Sequence, residues 1–136
     1  IGDAGLIGVA VDPQYGGAGL DFVCQGLVIQ AFSRHNASVS LSYAGHENLF
    51  ITNLARNGTP RQKEKYLPQC VAGEMIGALA MTEPGAGSDA IGSMATTARR
   101  EGDYYVLNGR KIFITNGPVA DVMIVYARTT PGRGSA

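Results

Sequence analysis

The hydrophobic period changes at Gly73, and this constrains the fold more than any other feature. Before Gly73 apolar residues recur at helical spacing; after it they come in short runs that alternate. Helices followed by strands predict an α+β fold in two segregated parts. These are read as an N-terminal all-helical domain over 1–74 and an antiparallel β-sheet domain over 75–136.

On the helical side, Pro13 to Gly19 ("PQYGGAG") reads as a loop, and a turn between helices is preferred there to a phosphate cradle. Asp21 then opens a helix with Val23, Leu27, Val28 and Phe32 on one stripe. A second helix is expected over about Ser38 to Asn57, with Phe50, Ile51 and Leu54 buried and Gly58 as its C-terminal cap. The third carries the clearest local signature: Thr59 as N-cap, Pro60 at the first helical position and Gln62 completing a capping box. Its buried stripe is Tyr66, Leu67, Cys70 and Val71; Pro68 predicts a kink or an early end, and Gly73 the stop.

On the strand side, "MIGALAM" reads as a buried strand and "DVMIVYAR" as a later one. Between them, "YYVLNGRKIFIT" is expected to form a hairpin around Asn108-Gly109, the strongest short hairpin signal in the chain, with Glu101-Gly102-Asp103 as the preceding turn.

At 136 residues the chain is long enough for a real core. Eleven basic and eleven acidic side chains cancel, which argues against nucleic-acid or anionic-membrane binding. No apolar run approaches the roughly 20 residues of a membrane span. Cys24 and Cys70 suggest neither a metal site nor a disulfide framework, and a reducing compartment fits them best. Ile1 begins as if in mid-element and "TTPGRGSA" follows a strand without closing anything, so the sequence reads as an internal piece of a longer chain.

Two stretches carry candidate chemistry. "MTEPGAGSD" packs two glycines, a proline, two hydroxyls and two carboxylates into the segment Met81 to Asp89. Its amides, with Ser88 and Thr82, can hold a pyrophosphate, or it is simply a tight structural loop. It is not a GxGxxG fingerprint, which disfavours a Rossmann site. After Asn108-Gly109, strand alternation would place Lys111, Phe113 and Thr115 on one face, either as a stacking platform for a flat heteroaromatic ring or as an ordinary half-buried face.

"AMTEPGAGSDAIG" followed by "GRKIFITNGPVADVMIVYAR" resembles the flavin-binding region of the acyl-CoA dehydrogenases, and the likeness extends upstream through "QKEKYLP", "RNG" and the Pro-x-Tyr-Gly-Gly loop. It implies that family's fold, truncated before its C-terminal helical domain. It also implies FAD as cofactor, with Leu79, Met81, Thr82, Gly87, Ser88, Phe113, Ile114 and Thr115 lining it and Ser88 also near the acyl-CoA substrate. Many members have Trp at the position of Phe113; Phe keeps a stacking face but loses area and the indole N–H.

The implied reaction is α,β-dehydrogenation of a short, branched acyl-CoA thioester, with electrons passed to an electron-transfer flavoprotein. Alternatives on the same scaffold are an acyl-CoA oxidase, a flavin monooxygenase or a non-catalytic flavin binder. The catalytic base glutamate is expected beyond Ala136, so no residue here is named catalytic; Glu83 and His46 are read as structural. Arg61, Lys63, Glu64 and Lys65 are read as a solvated helix face. A homotetramer in a bacterial cytoplasm or a mitochondrial matrix completes what the resemblance implies.

Overall fold

The structure is a computed structural model and describes residues 1–130; the end of "TTPGRGSA" lies outside the described residues. Besides short 3-10 turns at Gly2–Ala4, Pro13–Tyr15 and Gly117–Val119, the helices are α1 (Phe22–His35), α2 (Ala37–Ala44), a π-helical segment (Gly45–Ile51), α3 (Thr52–Asn57) and α4 (Pro60–Ala72). The strands are β1 (Gly77–Ala80), β2 (Thr97–Glu101), β3 (Tyr104–Asn108) and β4 (Val122–Val125). The described residues form two compact units, one of Ile1–Ala78 with Thr115–Met123 and one of Leu79–Ile114 with the residues from Ile124 onward.

In the first unit, α4 forms as its sequence dictates. The Thr59 side chain accepts from the Gln62 amide while Gln62 Oε1 accepts from the Thr59 amide, and Gly73 closes the helix in the left-handed conformation. Leu67, Cys70 and Val71 are buried as expected. Pro68 does not end the helix, which continues to Ala72: Pro68 is exposed, and so is Glu64, the residue whose carbonyl it leaves without a donor.

The long central helix runs from Ala37 to Asn57 but widens into a π-turn, where the Thr52 amide donates to the Glu47 carbonyl five residues back and Thr52 Oγ1 adds a second bond at 3.0 Å. Gly45, His46 and Glu47, three successive residues at the start of this segment, are all buried. Phe50, Ile51 and Leu54 are buried as predicted. Gly58 does cap the helix, yet in extended rather than left-handed conformation, with the Leu54 carbonyl where a Cβ would sit.

The expected stripe of α1 is corrected. Val23 and Leu27 are exposed, whereas Gln25 is the helix's buried residue, donating to Glu47 Oε1 at 3.0 Å and Thr52 Oγ1 at 3.2 Å. A polar anchor has set the rotation of this helix against its apolar periodicity.

β2 and β3 form an antiparallel hairpin with Thr97 opposite Asn108 and Glu101 opposite Tyr104, turning at Gly102. The predicted hairpin at Asn108-Gly109 and the strand after it are absent; the segment from Gly109 is irregular. Glycine is needed at 109 because a Cβ there would collide with Thr96. β1 pairs with β4, and the Ile76 carbonyl accepts from the Val122 amide as the Ala80 carbonyl accepts from the Tyr126 amide. Those bonds advance in the same direction along both strands, so this pair is parallel, whereas β2 and β3 pair antiparallel.

Candidate functional site

Beyond β1 the chain runs through Met81, Thr82 and Glu83 alongside residues 111–112, with the Thr82 carbonyl accepting from the Ile112 amide at 3.0 Å. Lys111 Nζ donates to the Met81 carbonyl and to Glu83 Oε1, both at 2.9 Å. The buried Glu83 carboxylate also accepts from the Thr96 amide at 2.9 Å and the Ala95 amide at 2.6 Å. Burial pushes its pKa up, but hydrogen bonds from Thr96, Lys111 and Ala95 outweigh that and pull it down to about 2. A carboxylate held this strongly in its ionised form is a staple rather than a base.

Glu83 and Ala86 exchange two backbone hydrogen bonds of 3.1 Å, closing a tight turn through Pro84 and Gly85. Past that turn the chain is fixed by Ser93 Oγ donating to Asp89 Oδ2 at 2.5 Å and by Arg128 Nη2 donating to the Gly92 carbonyl at 2.8 Å. The tip is therefore anchored from behind while Gly85, Gly87 and Ser88 face outward.

A Cβ at Gly85 or Gly87 would meet nothing within 4 Å, and neither has a positive φ, so the chain's own packing does not demand glycine there. Open backbone of this kind suits the close approach of another molecule. The Thr82 amide and hydroxyl, and the amide and hydroxyl of Ser88, make no hydrogen bond among the described residues. Leu79, in β1, and Met81 and Ile114 are each half-buried.

Phe113 is 88% exposed and sits at φ 55, a left-handed conformation that costs a bulky residue free energy. The strand alternation expected for Lys111, Phe113 and Thr115 is thus corrected. Lys111 turns in to Glu83, Phe113 presents its ring outward, and Thr115 belongs to the first unit, where it lies against Gly45.

His46 is structural, as read from the sequence. Its Nδ1 accepts from the Gly77 amide at 2.9 Å, which leaves Nε2 to donate to the Cys70 carbonyl at 3.0 Å. Cys24 and Cys70 are free thiols, and burial, helped by the charge of Asp121, pushes Cys70 up to about 11. Sequence reasoning did not single out Glu47, Asn116 or the Lys111 contact with Glu83. A carboxylate among Tyr43, Phe50 and Ile51 on a helix is the one signal that marks Glu47 in advance.

Residues 1–74 match the family description "Acyl-CoA dehydrogenase, N-terminal domain", and residues 78–136 match "Acyl-CoA dehydrogenase, middle domain". The chain belongs to the acyl-CoA dehydrogenase family. It is 54% identical to the mitochondrial isovaleryl-CoA dehydrogenase of Bos taurus over 129 residues, which is 95% of this chain and 30% of that one. An acyl-CoA dehydrogenase structure from Geobacillus kaustophilus superimposes with a TM-score of 0.87 at 43% identity, covering 96% of this chain and 34% of that one. A glutaryl-CoA dehydrogenase from Mycobacterium smegmatis in complex with FADH2 gives 0.90 at 36% identity, over 96% and 33%. The chain thus spans about a third of the length of these acyl-CoA dehydrogenases. Among its described residues no helix is long and apolar enough to cross a membrane.

Proposed function

We propose that the full-length protein carrying this sequence is an FAD-dependent dehydrogenase of short, branched acyl-CoA thioesters, and that this chain supplies part of its flavin site. The reading rests above all on the 54% identity to an isovaleryl-CoA dehydrogenase across 95% of the chain. The outward tip supports it, since Gly85 and Gly87 leave open space and Thr82 and Ser88 keep donors unspent.

FAD, when bound, supplies the hydride acceptor for the β-hydrogen. The chain's own residues bind and orient. Thr82 offers its amide and hydroxyl to the polar edge of the flavin ring, Gly87 and Ser88 offer theirs to phosphate and to the acyl-CoA, and Phe113 offers a ring face for stacking. Leu79, Met81 and Ile114 supply apolar contact, and Thr115 a hydroxyl. The base that removes the α-proton is assigned to a glutamate outside these residues, an electron-transfer flavoprotein is the electron acceptor, and the assembly is a homotetramer of the mitochondrial matrix or a bacterial cytoplasm.

The test is an anaerobic titration of the full-length protein with isovaleryl-CoA, followed by flavin absorbance, with a straight-chain acyl-CoA alongside. Bleaching by the branched substrate in preference to the straight one is expected. Bound FAD that neither substrate bleaches would overturn the dehydrogenase reading.

A further inference from the structure

Gly45 opens the π-turn of the central helix and is buried. A Cβ built on it would lie 2.7 Å from Thr115 Cγ2 and 3.2 Å from Thr115 Cβ, closer than two carbons pack. These are not atoms at the end of a flexible side chain; they belong to a β-branched residue with stiff χ1.

The strap that carries Thr115 has little room to retreat. Asn116 Nδ2 donates to the Ser42 carbonyl at 2.8 Å, in the last turn of α2, and Asn116 is itself held at φ 63. The Val119 amide donates to the Asn116 carbonyl at 3.0 Å, and Pro118 stiffens the turn that follows. Asp121 then fixes the next residues, accepting from the Ile76 amide at 2.8 Å. Any side chain at 45 therefore displaces Thr115 itself. The Thr115 hydroxyl makes no hydrogen bond among the described residues, so its position is set by this packing and not by a partner of its own.

We infer that Gly45 is a positioning residue: the missing side chain sets where the Thr115 hydroxyl stands, and through it the affinity of the protein for FAD. The inference rests on the flavin reading of Thr115 given above. It assigns to one glycine of the helical unit a part in cofactor binding without any contact to the cofactor.

Four variants of the full-length protein test it: Gly45→Ala, Thr115→Ser, the double variant, and Thr115→Val. The readouts are FAD dissociation and the absorbance spectrum of bound flavin without substrate. Gly45→Ala is expected to raise the Kd for FAD by about 3- to 10-fold, the loss of about one hydrogen bond, and to shift the flavin spectrum. Thr115→Ser removes Cγ2 and keeps the hydroxyl, so the double variant should return to within about twofold of the parent.

Unchanged FAD affinity and spectrum in Gly45→Ala, or no recovery in the double variant, would overturn the inference. If Gly45→Ala does not fold, a folded double variant supports the clash, and an unfolded one places it elsewhere and sinks the proposal. Thr115→Val separates the two claims: if it leaves FAD binding intact, the flavin role of Thr115 itself is wrong, whereas a weakened Thr115→Val beside a silent Gly45→Ala defeats the positioning role alone.

Discussion

Glu47 in the helical unit and Glu83 in the other are both buried carboxylates, and they are held by different means. Glu47 accepts from the Gly8 amide at 2.7 Å, the Val9 amide at 2.9 Å and the Gln25 side chain at 3.0 Å, all neutral donors. Glu83 has two amides as well, but its third donor is the Lys111 ammonium. Glu47 ties the loop before α1 to the central helix using backbone dipoles, so it anchors a fold. Glu83 gathers three chain segments behind an exposed tip and has its charge compensated, so it holds a surface loop rigid without a net buried charge.

The largest effect should come from Glu47→Ala, which strands two buried amides and the Gln25 side chain. A loss of about 3 kcal/mol or more is expected in denaturant unfolding of the full-length protein. A cost under about 1 kcal/mol would erase the contrast. Lys111→Met should cost less, about 2 kcal/mol, the loss of a hydrogen bond to a charged group, because two amides still satisfy Glu83. A cost above that of Glu47→Ala would reverse the comparison.

The third prediction concerns pH. Glu83 sits at about 2 in the folded protein against an ordinary 4.5, so its contribution is fully present above the ordinary value and is lost as pH falls toward 2. Thermal melts from about pH 5 to about pH 2 should show that loss in the parent, and Glu83→Gln should flatten it. A slope that survives in Glu83→Gln would assign the acid sensitivity to another carboxylate. The smallest effect is that of Phe113→Trp: the exposed ring leaves stability within about 0.5 kcal/mol of the parent, while FAD binds more tightly. A Trp variant that loses flavin contradicts the stacking role.

Short-range rules were legible in the sequence wherever the interaction they describe stayed local. Thr59, Pro60, Gln62 and Gly73 delimit α4 because a capping box and a left-handed cap are completed within a few residues. Asn108-Gly109 misled because its glycine answers to Thr96, not to a turn. The stripe of α1 misled because Gln25 finds its partners on a helix more than twenty residues away, which periodicity does not register. Thr82, Gly87 and Ser88 were legible as motif members, but that their donors stand unspent is a property of the folded loop. The seating of Thr115 on Gly45 required the π-turn, and no local sequence rule announces one.

The chain passes between its two units at 78–79, at 114–115 and again at 123–124. Neither unit is a single length of sequence, and dissection must respect that. A fragment ending at Ala78 would keep α1 to α4 yet forfeit the Asn116 bond to the Ser42 carbonyl and the Asp121 cover of the Ile76 amide. Splicing 115–123 back onto it through a short linker, rather than cutting at the change of period, is the excision that preserves the helical unit as a folding entity.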